Sequence, residues 1–453
     1  MTFNLDNFLQ QNPWRLDNKA LDSFYFPREC INPIIAQLTD QNPLLLKGPR
    51  GAGKTTILQI LIKHLITQLS IPPENIFYFN LDDPLTCDFF RNSEAIINFI
   101  NGFAPKNDKG VYLVLDEIQH LITAVSEPRV LIQEIADKFS GKLILTSSRA
   151  SFASALKGLV QIEIPTFGFK DYLNRVLNIQ NIYLPKWDED SVACFTKVVG
   201  SGYAKILEPY LDDYLIYGGY PWATRKFVPE ARPELLRQVY EAALQEILAF
   251  GGKINQPERF TQLIQILAQA NGELQPIMVQ AKECGLSRAT VEHYRDILED
   301  NYLISAIHPV SKESSASGSP IVYFNDTGLR NRLISFFHKP ATRPDRDNLL
   351  NNFLYRNLAV LGGKTNYQRL TWTNRIMFSF RQNDRLNLAM VLYDFPQRKS
   401  GHRGLANLAQ RMKSQKVIIL TRDYSDYRKE SDSDFVYIPA SMTYLLPEIL
   451  RIK

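Results

Sequence analysis

The sequence predicts a multidomain α/β protein: a mostly parallel sheet with a phosphate-binding loop, a helical lid, a winged helix-turn-helix and a small C-terminal α/β domain. Three observations predict it. Between Pro43 and Phe167, short apolar runs alternate with amphipathic stretches; Gly48 to Thr56 reads GPRGAGKTT; and the apolar run Val111–Leu115 ends in Asp116-Glu117. Strand–helix alternation of this kind argues for a parallel sheet covered on both faces.

At about 100–200 residues per domain, the 453 residues accommodate two to four domains. Apolar residues at 45% and charged residues at 22% are ordinary globular usage, which excludes wholesale disorder, collagen and coiled coil. The net charge of +5 permits nucleic-acid contact but is too weak to argue for it. Cys30, Cys87, Cys194 and Cys284 lie far apart with no CxxC pair. No disulfide framework or zinc site is therefore expected, and a reducing, cytoplasmic location is. The N-terminus lacks a basic start followed by an apolar core, so no signal peptide is expected. No stretch approaches the ~18 apolar residues of a membrane span, so no membrane partner is expected either.

In chain order, residues 1–40 read as a helical lead-in and 41–167 as the sheet core. Its strands are expected at Leu44–Leu46, Ile76–Asn80, Val111–Leu115, Leu143–Thr146 and Val160–Ile164. Helices are expected at Thr55–Leu69, Ser93–Phe103, Pro128–Phe139 and, weakly patterned, Ser151–Leu156. Residues 168–255 read as a helical lid broken at Tyr217-Gly218-Gly219-Tyr220-Pro221. Residues 256–328 read as three helices and two wing strands, Leu303–Val310 and Ile321–Phe324, with Ser287 capping the third helix and SKESSASGSP as the wing tip. Residues 345–453 read as a separate α/β domain: an opening helix, strands near Ile376–Phe380, Leu386–Tyr393, Val417–Leu420 and Phe435–Tyr437, and a helix near Leu405–Met412.

Gly48-Pro49-Arg50-Gly51-Ala52-Gly53-Lys54-Thr55-Thr56 fits G-x-x-x-x-G-K-[ST] at every fixed position, with an apolar strand before it and an amphipathic helix after it. This is the P-loop NTPase pattern. Glycines let backbone N–H groups turn inward and approach phosphate, and the following helix points its positive end at the same place. Lys54 is placed to reach the β- and γ-phosphates and Thr55 to ligate Mg²⁺. In such enzymes an acid at a strand end holds the metal, the role assigned to Asp116. The next acid, Glu117, is placed to deprotonate the attacking water. The Asp-Glu pair favours a hydrolase over a small-molecule kinase. The only Asn-Lys, Asn18-Lys19, lies upstream of the loop, so ATP rather than GTP is the expected nucleotide. Leu143–Thr146 is expected between the loop strand and the Asp-Glu strand, with Thr146 or Ser147 facing the γ-phosphate or the water.

Here the chain resembles the prokaryotic AAA-type P-loop ATPases that carry a winged helix and a C-terminal restriction-endonuclease-like domain of unknown function. The resemblance spans nearly the whole chain. It rests on GPRGAGKTT, Asn80-Leu81-Asp82-Asp83-Pro84, LVLDEIQ, LILTSS, the stretch Ile164–Tyr172 and GGYP at 218–221. Two departures stand out. The arginine that such proteins carry before the Pro-x-x-Phe stretch falls on Leu159, which implies slow hydrolysis, since such a charge contributes ~10³–10⁵ in rate. Arg149, Arg225 or an arginine of a second copy are the substitutes considered. The acids of an intact nuclease-type site fall on Asn351 or Asn352, Leu388 and Gln397-x-Lys399, with Asp394 as a nearby carboxylate; a non-cutting domain is therefore expected.

On the third winged-helix helix, Ser287, Arg288, Thr290, His293, Tyr294 and Arg295 are the candidate DNA contacts, set against Glu292, Asp296, Glu299 and Asp300. The basic clusters Lys339–Arg346 and Arg398–Arg403 read as solvated surface that could assist. The expectation is an ATP- and Mg²⁺-dependent switch, slow in hydrolysis, with a protein effector, weak DNA contact and self-association left open. Two alternatives stand beside it: a nucleotide-gated scaffold with little hydrolysis, and a DNA-processing enzyme acting through the C-terminal domain.

Overall fold

A computed structural model of the chain describes residues 5–21, 28–105, 110–152, 158–178, 191–199, 202–224, 229–310, 319–370, 375–394, 400–430 and 432–451. The wing tip, Arg225, Gln397, Lys399 and most of the Ser151–Leu156 stretch lie outside them. Two compact units result: Met1–Thr166 with Glu241–Ile254 and Asp296–Leu303, and Phe167–Tyr240 with Asn255–Arg295 and Ile304–Lys453. The segment 168–255 read as one lid thus gives its last residues to the first unit. The helices Arg232–Phe250 and Arg288–Asp300 each run through both.

In the first unit, β1 (Leu44–Lys47), β2 (Ile76–Asn80), β3 (Tyr112–Asp116), β4 (Lys142–Ser147) and β5 (Val160–Glu163) form one parallel sheet in the order β2-β3-β4-β1-β5. Side chains alternate between its two faces, as the strand repeat of two requires. Leu45, Phe77, Phe79, Leu113 and Leu115 enter one core with Ile96, Ile100, Ile132 and Ile135 of the helices Ser93–Phe103 and Pro128–Lys138. Leu44, Leu46, Ile76, Tyr78 and Val114 enter the other with Ile57, Leu58, Leu61 and Leu65 of the helix Lys54–Thr67. Both faces are buried, so these strands read as near-continuous apolar runs.

The lead-in has a role that its composition does not announce. Buried Asn12 accepts from Tyr78 N (2.9 Å) and donates to Tyr78 O (2.9 Å), as a neighbouring strand would. Gln11 accepts from Asn80 N at 2.8 Å. The open edge of β2 is thereby satisfied and covered.

In the second unit, the helices Pro257–Gln269 and Ile277–Cys284 and the start of Arg288–Asp300 precede an antiparallel pair, β6 (Ile304–Ile307) and β7 (Ile321–Phe324). Ser287 Oγ accepts from Thr290 N at 3.1 Å, the expected cap. Tyr294 is 1% exposed, its ring edge-on to Phe260 at 5.1 Å, and Arg295 is also buried. These two residues are therefore removed from the candidate DNA contacts. The helix repeat places Val291, Tyr294 and Arg295 on its buried stripe, while Ser287, Arg288 and His293 are exposed and Thr290 half-buried.

β8 (Asn366–Leu370), β9 (Arg375–Gln382), β10 (Arg385–Val391), β11 (Lys416–Thr421), β12 (Asp426–Glu430) and β13 (Ser433–Pro439) form a mixed sheet in the order β12-β13-β11-β10-β9-β8. β8 and β12, polar and half-exposed, escaped the sequence reading. Phe353, Leu354 and Leu358 of the helix Arg346–Val360 pack with Ala389 and Val391. Leu388 and Met390 face the other way, into a core with Leu405 and Leu408.

Candidate nucleotide site

β1 ends at Lys47 and the helix Lys54–Thr67 begins within the GKT of the loop, so strand and helix hold the loop at both ends. Two local constraints explain its glycines. Gly53 is left-handed (φ 92°, ψ 25°) and caps the helix without any side-chain oxygen, which leaves the helix N-terminus for an anion. At Gly48, a Cβ would lie 2.0 Å from Ile164 O, so only glycine lets β1 and the end of β5 stay in register.

Lys54 is buried, with Nζ donating to Gly48 O (3.1 Å) and Pro49 O (3.2 Å) and lying 3.3 Å from Glu117 Oε1. The Thr55 hydroxyl donates to Asp116 Oδ2 at 2.7 Å, and Tyr78 OH donates to the same oxygen at 2.9 Å. Thr146 Oγ1 donates to Asp116 Oδ1 and accepts from Glu117 N at 2.8 Å. The structure thus brings Lys54, Thr55, Asp116, Glu117 and Thr146 together. Ser147, the other sensor candidate, turns away: its Oγ accepts from Arg149 N (3.0 Å) and its carbonyl accepts from Gly48 N (3.1 Å).

β4 lies between β3 and β1, so residues just past its end face the two acids. Ser148 was missed for its place one residue beyond Thr146-Ser147; its Oγ lies 2.8 Å from Glu117 Oε2. Gln119 Nε2 also donates to Glu117, and Gln119 Oε1 accepts from Ser148 N at 3.2 Å. Glu246, on the helix Arg232–Phe250, accepts from Ser148 Oγ (2.7 Å), Gln119 Nε2 (3.0 Å) and Arg50. Arg50 also reaches Asp82 at 3.4 Å. No local pattern marks Glu246, because its partners come from segments about 100–200 residues away. Arg149, considered as a phosphate-facing arginine, is engaged elsewhere: it pairs with Asp300 at 2.8 Å and donates to Phe250 O at 2.7 Å.

The two acids are pushed in opposite directions. Burial raises the Asp116 carboxyl above its ordinary value, and the neighbouring Glu117 charge adds to this against the hydrogen bonds from Thr146, Thr55 and Tyr78. Burial acts the same way on Glu117, but Lys54, Gln119, Ser148 and Arg50 outweigh it and hold that carboxyl at about 2. The Thr55 hydroxyl and the Asp116 carboxylate are hard oxygen donors that suit Mg²⁺, and a cation there would offset the repulsion between the acids. Glu117, His120 and Glu246 offer ligand atoms within 4.8 Å of one another. Lys54, Arg50, Gln119 and Ser148 already engage both of those carboxylates, so the trio fits a hydrogen-bond network better than a metal centre.

Residues 40–173 match the AAA domain family, and residues 208–340 match a domain of unknown function, DUF8612. The zinc import ATP-binding protein ZnuC of Wigglesworthia glossinidia brevipalpis is 27% identical over 115 residues, 23% of this chain and 46% of that protein. The chain thus spans about half the length of this curated relative. Among solved structures, the Orc1 protein of Aeropyrum pernix in complex with DNA aligns with 71% of this chain and 96% of its own, at 13% identity and a TM-score of 0.33. AMPPCP-bound DnaA of Aquifex aeolicus aligns with 66% and 91%, at 17% identity and a TM-score of 0.25. The family match and the loop geometry support nucleotide binding by the AAA domain. Among the described residues, no helix is long and apolar enough to cross a membrane.

Proposed function

We propose that the chain is an ATP-dependent AAA-type switch protein that hydrolyses ATP slowly and couples nucleotide state to a protein or DNA partner. The observation that carries this reading is the convergence of Lys54, Thr55, Asp116 and Glu117 at one end of the parallel sheet. The loop Gly48–Thr56 cradles the phosphates with its backbone N–H groups and the Lys54 ammonium. Thr55 and Asp116 would hold Mg²⁺, which would supply positive charge to offset that of the phosphates. Glu117 takes the proton of the attacking water, and Thr146, bonded to both acids, fixes their relative orientation.

The second unit serves as the output. The helices Pro257–Gln269, Ile277–Cys284 and Arg288–Asp300 with the pair β6–β7 act as a winged helix, and the exposed Ser287, Arg288 and His293 are the candidates to meet phosphate or a protein surface. Arg288 already pairs with Glu292 at 2.8 Å, which favours a protein partner or weak DNA contact over tight DNA binding. The C-terminal domain acts as a docking platform rather than a nuclease.

The test is steady-state phosphate release beside binding of a fluorescent ATP analogue, with the wild-type chain and Glu117→Gln. The variant should keep its affinity and lose ~10²–10⁴ in turnover. A wild-type chain that binds ATP but releases no phosphate would support the nucleotide-gated scaffold instead, a reading favoured by the firm engagement of Glu117 with Lys54, Gln119 and Ser148.

A further inference from the structure

We infer that Glu246 is a positioning residue for Glu117, sharing with it the Ser148–Gln119 donor pair and engaging Arg50. The inference rests on the proposal that Glu117 is the base. Glu246 is 6% exposed and lies on the helix Arg232–Phe250. Its Oε1 accepts from Ser148 Oγ at 2.7 Å and Gln119 Nε2 at 3.0 Å, and its Oε2 accepts from Arg50. The same Ser148 and Gln119 atoms reach Glu117 Oε2.

Proton counting shows what this arrangement does. Ser148 carries one hydroxyl proton and Gln119 two amide protons. The bond from Ser148 N to Gln119 Oε1 turns the amide so that its NH₂ faces the carboxylates. These three protons are shared among Glu117, Glu246 and Ser148 Oγ, which itself lies 2.7 Å from Gln119 Nε2. Without Glu246, Ser148 and Gln119 are free to reorient about Glu117, and Arg50 keeps only Asp82 of its two acidic partners. Glu246 therefore preserves the orientation of the Glu117 carboxylate by holding the two side chains that contact it.

The experiment compares Glu246→Ala, Glu246→Gln, Glu117→Gln and the double variant Glu246→Ala/Glu117→Gln in the full chain. The readouts are analogue binding, phosphate release (single-turnover for slow variants) and thermal melting. Glu246→Ala should bind within ~2-fold of wild type and lose ~10–100-fold in turnover, the scale of a small misplacement of a reacting group. Glu246→Gln keeps an oxygen acceptor for Ser148 and Gln119 and should fall in between. In the Glu117→Gln background, removing Glu246 should cost nothing further, because a residue acting through the base has nothing left to position. Glu246→Gln, nearly the same size, keeps the test valid if the alanine variant does not fold. Losses that multiply in the double variant, or wild-type turnover in both Glu246 variants, would overturn the inference with the base assignment intact. Wild-type turnover in Glu117→Gln would instead remove the base assignment, and this inference with it.

Discussion

The Lys54 ammonium lies 3.3 Å from the Glu117 carboxylate, so the cation proposed to serve phosphate and the acid proposed to serve water are paired with each other. Together with Gln119, Ser148 and Arg50, this pairing holds Glu117 far below the usual carboxylate range. A phosphate that draws the ammonium towards itself would leave Glu117 a stronger base. On the proposed roles, nucleotide binding and activation of the base would be linked through this one lysine.

Lys54→Ala should abolish measurable binding of the ATP analogue, since the phosphates lose their principal side-chain cation. Lys54→Met, which keeps the stem, isolates the charge. Glu117 has a depressed folded value of about 2 against an ordinary 4.5. Its stabilising contribution is therefore present above the ordinary value and lost as pH falls through the folded one. The melting temperature of wild type should exceed that of Lys54→Met at neutral pH, and the gap should close as pH drops from about 4.5 towards 2. A gap independent of pH would assign the effect to packing.

Asp116→Asn should behave in the opposite sense. The Asp116 carboxyl is raised, so its ionised form costs the fold stability once pH climbs from 3.8 through the raised value. Thr55, Thr146 and Tyr78 are hydroxyls and can turn to accept from the new amide. Without nucleotide, the variant should melt higher than wild type at neutral pH and lose that advantage in acid, while Mg²⁺-dependent phosphate release disappears. A lower melting temperature at neutral pH would refute this.

On the helix Arg288–Asp300, Tyr294 and Arg288 should separate fold from contact. Tyr294→Ala removes a buried ring that packs on Phe260 and should cost about 3–5 kcal/mol in denaturant unfolding. Arg288 is 63% exposed in its side chain and paired only along its own helix, so Arg288→Ala should change stability by less than about 1 kcal/mol. Any DNA affinity at low salt should fall with Arg288→Ala. Affinity unchanged by that variant would assign this face to a protein partner.

The C-terminal domain should not cut DNA or RNA in Mg²⁺ or Mn²⁺. Asn352 is buried and donates to Asn271 at 3.3 Å, Leu388 sits in the apolar core, and exposed Asp394 is paired with Arg346. One paired carboxylate does not make the oxygen cage that such a metal requires. Cleavage that survives Lys54→Ala but disappears on Asp394→Ala would overturn this.

Much of the first unit was legible because its signals are local. Strand alternation, the left-handed glycine at the loop and the Asp-Glu at a strand end all arise from residues a few positions apart. The place of β4 between β3 and β1 was expected from the sheet of P-loop ATPases and is observed, whereas the bond from Thr146 to Asp116 was not expected. The polar strands β8 and β12 were not legible, since half-exposed residues carry no clear repeat of two. The sequence by itself determined which residues could grip phosphate and hold Mg²⁺. Only the tertiary structure decided which groups surround them: Asn12 on the edge of β2, Tyr78 on Asp116, Glu246 on Arg50 and Ser148, and Tyr294 and Arg295 turned inward. The physical reason is that a hydrogen bond depends on distance in space. The separation of 196 positions between Arg50 and Glu246 leaves no trace in either local pattern, and folding alone brings the two together.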